Sequence, residues 1–135
     1  MAGIADNSAA DQAGQFGDNT DGMELYHFTR ADGSIDPDHA VLAVNSEYYN
    51  DKFLFEHGEA AKTAEDVRKG IYAHGVSVVE VKRRSDGTWK VMQGAAKNVR
   101  HHGYAEFELT GPVAGTEYVK THADASGRKV LGTFN

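Results

Sequence analysis

Residues His74 to Gln93 read His-Gly-Val-Ser-Val-Val-Glu-Val-Lys-Arg-Arg-Ser-Asp-Gly-Thr-Trp-Lys-Val-Met-Gln. Two runs rich in β-forming residues, Val76 to Val81 and Thr88 to Met92, flank a turn. The turn contains Asp86-Gly87, a pair that adopts the positive φ angles of tight hairpins at little steric cost. The stretch therefore predicts an antiparallel hairpin, and it points to a chain organised as β-sheet.

Other parts of the chain show the same alternation of apolar and polar residues. Met23 to Phe28 and His39 to Asn45 are predicted to form a second hairpin, whose loop contains Asp36-Pro37-Asp38. Tyr104 to Leu109 is predicted as a strand, and a further strand is expected to begin at Lys129. The predicted class is all-β, with antiparallel sheets and hairpins.

One short helix is predicted, from about Ala64 to Tyr72. Thr63 is followed three residues later by Asp66, which resembles a capping box, and Val67 and Ile71 then recur at helical spacing. His74-Gly75 is expected to end this helix and lead into the central hairpin.

The composition limits the possible functions. With 135 residues the chain forms at most one domain, and its 15 Gly and 2 Pro favour a turn-rich β protein. A net charge of -6 argues against nucleic-acid binding through phosphate neutralisation. No apolar run approaches the roughly 18 residues of a membrane span, and no signal peptide is visible after Met1. The absence of cysteine excludes thiolate chemistry within this chain.

Residues 1–14 are rich in Ala, Gly, Asp and Ser, and we expect them to form a disordered tail before a folded portion over residues 15–135. The strand that begins at Lys129 runs to Asn135 without a closing turn or cap. This feature predicts that the chain is a fragment of a longer protein.

Oxygen-bearing side chains are concentrated in a loop between two glycines, where Asp18, Asn19 and Asp21 stand close together. Such loops suit hard cations such as calcium, although a simple polar turn is the alternative. Glu47 directly follows an apolar strand, so its carboxylate is expected to be partly buried and to need a cation or hydrogen-bond donors. If the two strands between them form one hairpin, Glu47 and the loop lie at the same end of the sheet.

The segment Asn98 to Gly103 is expected to be irregular. It contains Arg100, which is expected to be solvated although it could reach an anion, followed by His101 and His102. Adjacent histidines on an extended backbone face opposite ways, so they are not expected to bind one metal ion.

Five segments, taken in order, resemble motifs of the PhoX-type alkaline phosphatase family. These are Phe16 to Asp21, Val44 to Tyr48, Ala73 to Val81, Leu109 to Gly115 and Val130 to Asn135. The chain is therefore identified as similar to the N-terminal portion of this family, over residues 15–135.

The resemblance implies a β-propeller enzyme that uses calcium and ferric iron to hydrolyse phosphate monoesters in the periplasm or outside the cell. A propeller blade has about 40–45 residues, so this chain supplies a partial propeller of no more than about three blades. Glu47 lies in a motif that the resemblance highlights, and together with the oxygen-bearing side chains of the nearby loop, Asp18, Asn19 and Asp21, it is the predicted metal site. Ser46 and Thr20 stand where the family commonly has His and Asn, and the cysteine usually assigned to iron is absent. We therefore expect the isolated chain to be inactive.

Two other functions fit the same residues. A calcium-binding or carbohydrate-binding β-module would explain the acidic loops without a complete catalytic set, and an interaction module would need only the sheet. A partial propeller also exposes unpaired strand edges, which predicts self-association of the isolated chain.

Overall fold

The computed structural model describes residues 5–131, which form an antiparallel β structure with short helices. The elements in chain order are α1 (Ala9–Gln12), β1 (Met23–Thr29), β2 (Ile35–Ser46), α2 (Asp51–Leu54), α3 (Ala64–Ala73), β3 (Gly75–Arg83), β4 (Trp89–Val91), β5 (Val99–His102), β6 (Glu106–Glu108), a 3-10 helix (Glu117–Val119) and β7 (Lys129–Leu131). No helix among residues 5–131 is long and apolar enough to cross a membrane.

The first two strands form the predicted hairpin. In β1 and β2, Met23 pairs with Val44 and Leu25 pairs with Leu42, so the apolar faces of the two strands coincide. The hairpin places the loop before β1 and the segment after β2 at the same end of the sheet, as the sequence predicted.

The second strand is longer than expected. Asp36-Pro37-Asp38 was predicted to lie in the loop, but β2 begins at Ile35 and includes it. The structure accommodates Pro37 because the register between β1 and β2 shifts between His27 and Thr29, where the ladder does not require the missing amide donor.

Strand β3 is the centre of the five-stranded sheet. One edge pairs with β2 over all but its last residue, from Ser46 against Gly75 to His39 against Lys82. The other edge is shared by two strands, because Val81–Arg83 pair with β4 while Gly75–Val78 pair with β5.

This arrangement confirms the central hairpin and corrects its extent. The turn at Asp86-Gly87 joins β3 to β4 in antiparallel pairing, as predicted. However, Val76 pairs with His101 of β5 and not with the hairpin partner. The segment Asn98 to Gly103 was predicted to be irregular, and this is wrong for residues 99–102. Their hydrogen bonds are supplied by the free edge of β3, a long-range partner that local sequence does not reveal.

The remaining strands form a separate two-stranded sheet. Glu106–Glu108 of β6 pair antiparallel with Lys129–Leu131 of β7. Both strands were predicted, although β6 is shorter than the predicted run from Tyr104 to Leu109. The last predicted motif extends to Asn135, and its residues 132–135 lie outside the described residues.

The core lies on one face of the large sheet. Ala40, Val79 and Val81 are buried together, and Leu25 and Leu42 pack against them. Alternate residues of β3 from Gly75 to Val81 are buried, which is the pattern of a strand with one core face.

Helix α3 confirms the predicted helix and its capping box. The Thr63 hydroxyl accepts from the Asp66 amide, the Asp66 carboxylate accepts from the Thr63 amide, and His74 is the C-terminal cap. Residues 5–131 contain two further short α-helices and a 3-10 helix, so the prediction of a single helix was wrong.

Part of the predicted disordered tail is folded. Ala9–Gln12 form α1, which has its own capping box between Ser8 and Asp11. The Ala9 amide donates to Glu65 Oε1 at 3.1 Å, and Lys69 Nζ donates to the Ala5 carbonyl at 2.8 Å. These contacts with α3 hold a segment whose composition alone favoured disorder, and residues 1–4 of the predicted tail lie outside the described residues.

Candidate metal-binding loop and its surroundings

The acidic loop lies directly against the end of β2. The Glu47 amide donates to the Asn19 carbonyl at 3.3 Å, and the Asn45 amide donates to the Gly22 carbonyl at 3.1 Å. Asn19 Nδ2 also donates to the Tyr48 carbonyl at 3.2 Å. The structure therefore brings Asn19 next to the backbone of Glu47, and the rest of the loop lies at the same end of the sheet, as the hairpin argument predicted.

The loop has a tightly turned backbone. Asn19 adopts a φ of 50°, the left-handed conformation that asparagine tolerates better than most residues. Its amide donates to Asp18 Oδ1 at 2.7 Å. Because Asn19 uses its Nδ2 to hold Tyr48, its Oδ1 is the atom of this side chain suited to coordinating a cation.

The side chain of Glu47 does not meet the prediction of partial burial, because the residue is exposed. The last residue of β2, Ser46, faces the interior and is completely buried, and the strand ends there. Glu47 therefore stands just beyond the sheet, where its carboxylate is hydrated and needs no buried counter-charge.

These residues fit one of the two metals that the family resemblance implied. Carboxylate and amide oxygens are hard donors of the kind that calcium prefers. Within residues 5–131, however, no group of three or more His, Asp or Glu side chains is placed to hold a metal ion. The donor types in this loop are thus those of calcium and not the thiolate or clustered ligands that would fit iron.

Ser46 lies beneath this loop in a tightly packed position. Its hydroxyl is buried without a hydrogen-bond partner among the described residues. A Cβ placed on Gly17 would lie 2.6 Å from Ser46 Cβ and would overlap the Ala73 carbonyl. Glycine at position 17 therefore lets the chain that leads into Asp18 pass close to the end of β2.

Arg100 differs from the solvated side chain that the sequence suggested. It is partly buried, and its guanidinium donates to five backbone carbonyls, those of Gln15, Tyr72, Ala73, His74 and His101. Three of these belong to the C-terminal end of α3 and its cap, where helix carbonyls lack intrahelical partners. Burial lowers the pKa of Arg100 from its usual value, but arginine remains charged in proteins. Its donors are used within the chain, so the expectation that it could reach an anion is not supported.

The adjacent histidines pack separately. The His101 ring lies 5.4 Å from that of Phe107, and the His102 ring lies 4.7 Å from that of Tyr72. Burial, followed by the charge of Arg100, lowers the pKa of His102. The pair therefore belongs to the packing between β5 and its neighbours, and each ring contacts a different aromatic partner.

Sequence comparison identifies the family. The sequence matches the model of the family described as alkaline phosphatase PhoX over residues 2–135. The chain belongs to the PhoX alkaline phosphatase family. No curated protein matches the sequence significantly.

A solved PhoX structure has the same fold over this region. It is that of Pseudomonas fluorescens PhoX in complex with vanadate, a transition state analogue, with 45% sequence identity and a TM-score of 0.86. The match covers 96% of this chain and 21% of the PhoX chain. The present chain thus spans about a fifth of the length of that relative, which agrees with two open antiparallel sheets in place of a closed propeller.

Proposed function

We propose that this chain is part of a metal-dependent phosphatase that hydrolyses phosphate monoesters. Membership of the PhoX family and 45% identity to a phosphatase solved with a transition state analogue support the proposal. The activity is proposed for a whole protein of PhoX length, of which these residues supply a minor share. The isolated chain is proposed to be inactive, because its described residues lack a convergent set of ligands.

Within that enzyme, we assign to this chain a contribution to a calcium site from Asp18, Asn19, Asp21 and Glu47. The observation that carries the assignment is the pairing of the acidic loop with the end of β2, through the Glu47 amide and the Asn19 carbonyl. A bound divalent cation would polarise the phosphoryl group and stabilise its oxygens. No three of these carboxylates are placed to hold a metal ion by themselves. These residues would therefore contribute single hard oxygen donors, and the remaining ligands would come from elsewhere in the protein.

Iron is proposed for the whole enzyme only. The chain has no cysteine, and residues 5–131 contain no cluster of three potential ligands. We propose a periplasmic or secreted location for the whole protein, on the basis of the family alone.

Calorimetric titration of calcium tests the site assignment. We expect weak binding by the 135-residue chain, because calcium takes about six to eight oxygen ligands and only some are present. Glu47→Gln should weaken binding further, whereas Glu56→Gln, at another exposed glutamate, should not. Identical heats for the original chain and Glu47→Gln would remove Glu47 from the site.

A non-catalytic calcium-binding or interaction module is the second candidate. It is favoured by the incomplete ligand set and by β1, whose outer edge has no strand partner among residues 5–131. Met23 and Tyr26 on that strand are 67% and 61% exposed, and open edges recruit other strands. We therefore propose that the isolated chain self-associates. Sedimentation showing a monodisperse monomer would contradict this proposal.

A further inference from the structure

The tip of the β3–β4 hairpin carries a local concentration of positive charge. Four of the chain's 14 lysine and arginine residues lie within residues 82–90, where Asp86 is the one acidic residue. All four cations are exposed, namely Lys82, Arg83, Arg84 and Lys90. The chain as a whole has a net charge of -6, so this tip has the opposite sign to the rest of the molecule.

Two of these lysines are held side by side. Lys82 of β3 pairs directly with Lys90 of β4 in the antiparallel register. Side chains in such positions have Cβ atoms about 5 Å apart, and like charges placed there destabilise the sheet. Within residues 5–131, neither lysine has an ion-pair partner, Arg84 has none, and Arg83 approaches Asp38 at 4.0 Å. The folded hairpin thus carries an unfavourable pair of charges, which an anionic partner would relieve.

Acidic residues of the neighbouring β1–β2 turn are engaged within that turn. Asp36 pairs with Arg30 at 3.1 Å, and Asp32 accepts from the amide and the hydroxyl of Ser34. These carboxylates therefore leave the two lysines of the β3–β4 hairpin without a counter-charge in contact with them.

Apolar side chains stand beside the cations. Trp89 and Val91 lie on the opposite face of β4 from Lys90, and they are 40% and 41% exposed. An aromatic side chain next to exposed basic residues is typical of segments that lie at a lipid–water interface. Every residue from 82 to 91 is exposed, so the hairpin projects from the fold and can meet a flat surface. Unpaired cations are costly to bury, so we expect the tip to stay at the surface of the whole protein as well.

We propose that this hairpin docks on an anionic lipid surface, with the four cations at the phosphate groups of the lipids and Trp89 at the boundary of the acyl chains. The neighbouring Val91 favours lipid over nucleic acid, because an aliphatic side chain does not stack on bases. Salt at physiological strength screens charges beyond about 8 Å, so the local positive charge acts on the surface although the net charge of the chain is negative. The interaction does not depend on the proposed metal site.

The register of the sheet sets the orientation of the docked chain. Ser46 pairs with Gly75 at one end of the β2–β3 ladder, next to the acidic loop, and His39 pairs with Lys82 at the other end. The basic tip and the acidic loop therefore lie at opposite ends of the sheet. Docking through the tip keeps the negative charges of the loop away from the anionic surface.

Binding to vesicles tests the proposal, and Trp89 serves as the reporter because it is the one tryptophan of the 135-residue chain. The chain is mixed with vesicles of phosphatidylglycerol and phosphatidylcholine, or of phosphatidylcholine alone. We expect binding to the anionic vesicles only, with a shift of the Trp89 emission to shorter wavelength as the indole ring leaves water. Raising the salt from about 0.1 M to about 1 M shortens the Debye length from about 10 Å to about 3 Å, and it should release the chain.

Charge variants locate the contact. Lys82→Gln/Lys90→Gln should weaken binding to the anionic vesicles by about thirtyfold, because each basic residue near such a surface contributes about fivefold. This variant should melt at the same temperature as the original chain or higher, since it removes a like-charge pair.

The matched control is Lys120→Gln/Lys129→Gln. It changes the net charge by the same amount at exposed lysines that pair with Glu117 and Glu106, and it should bind as the original chain does. Equal loss of binding in the two double variants would show an effect of net charge alone and would overturn the proposal.

Three other results would also overturn it. These are no binding to the anionic vesicles at low salt, equal binding to both kinds of vesicle, and binding without a shift of the Trp89 emission. A single-stranded DNA oligonucleotide that binds where the vesicles do not would assign the tip to nucleic acid instead.

Discussion

Arg100 Nε donates to the carbonyl oxygen of Gln15 at 2.9 Å, which joins two residues that lie 85 positions apart in the chain. The same guanidinium reaches the carbonyls of Tyr72, Ala73 and His74 at the end of α3. One side chain thus connects the segment that leads into the acidic loop, the main helix and β5. The position of the loop depends on contacts far from it in sequence.

Replacing Arg100 with lysine should destabilise the chain by about 2 kcal/mol or more. The three donors of an ammonium group cannot satisfy all the carbonyls that the guanidinium contacts, and hydrogen bonds to charged groups contribute about 1.5–3 kcal/mol each. Arg68→Lys is the matched control, since Arg68 is exposed and, among residues 5–131, its partner is Glu65 on the surface of α3. Urea unfolding of both variants measures the difference. Equal midpoints for the two variants would contradict the connecting function of Arg100.

Gly17→Ala should be strongly destabilising, by about 3 kcal/mol or more, because overpacking a closely packed position typically costs about 1–3 kcal/mol and the clash here includes rigid backbone. The added Cβ would meet Ser46 Cβ at 2.6 Å and overlap the Ala73 carbonyl. At Gly14, the nearest atom to an added Cβ is the Asp11 carbonyl at 3.8 Å, so Gly14→Ala should have little effect. Thermal melting compares the two, and a small shift for Gly17→Ala would show that the loop can move away from β2.

Ser46→Ala should leave stability unchanged or raise it by about 1 kcal/mol, because removing a buried hydroxyl that has no partner removes its desolvation cost. The Ser46 hydroxyl has no hydrogen-bond partner among the described residues. Thr63→Ala provides the contrast, because that hydroxyl caps α3 and its loss should cost about 1 kcal/mol. A marked destabilisation by Ser46→Ala would indicate a buried water molecule or ligand on this hydroxyl.

Acid should destabilise the chain in a defined range of pH. Hydrogen bonds from Thr63 hold the pKa of Asp66 at about 2, and those from Ser126 and the Lys129 backbone hold the pKa of Asp124 at about 2, against an ordinary value of 3.8. Because the folded-state pKa values are the lower ones, the stabilisation is complete above about pH 5 and is lost as the pH falls through 3.8 towards 2.

The double variant Asp66→Asn/Asp124→Asn should therefore show a flatter fall in stability between pH 5 and about pH 2 than the original chain. Denaturant unfolding at a series of pH values gives the slopes. Glu56→Gln serves as the control at an exposed carboxylate. A slope unchanged by the double variant would show that other carboxylates govern acid unfolding.

Local patterns predicted the parts of this fold that depend on local interactions. Alternation and the Asp86-Gly87 turn predicted the hairpins, and the Thr63 and Asp66 spacing predicted the start of α3. The hairpin of β1 and β2 then placed the acidic loop near Glu47, because only one turn separates the two strands.

The features that sequence reasoning missed depend on distant partners. Arg100 was predicted to be solvated. Its acceptors are backbone carbonyls, and no pattern of side chains in the sequence reveals them. Residues 99–102 form a strand because they pair with the edge of β3 that β4 leaves open. Ala9–Gln12 form a helix that contacts α3. Asn45 stood within one of the motifs that carried the family resemblance, but its contact with Asp21 required the three-dimensional structure.

The junction between β4 and β5 on the shared edge of β3 has a consequence for evolution and engineering. Glu80 lies at this junction, where its carbonyl accepts from the Met92 amide at 2.8 Å and its amide donates to Asn98 Oδ1 at 2.8 Å. Asn98 Nδ2 donates to the Met92 carbonyl at 2.8 Å, so a hydrogen bond joins the two residues that flank the loop of residues 93–97. Residues inserted near Gly94 would lengthen this loop without moving either strand along β3. This loop is therefore a suitable place for an epitope tag or a fluorescent label, and we expect it to tolerate differences in length among related proteins.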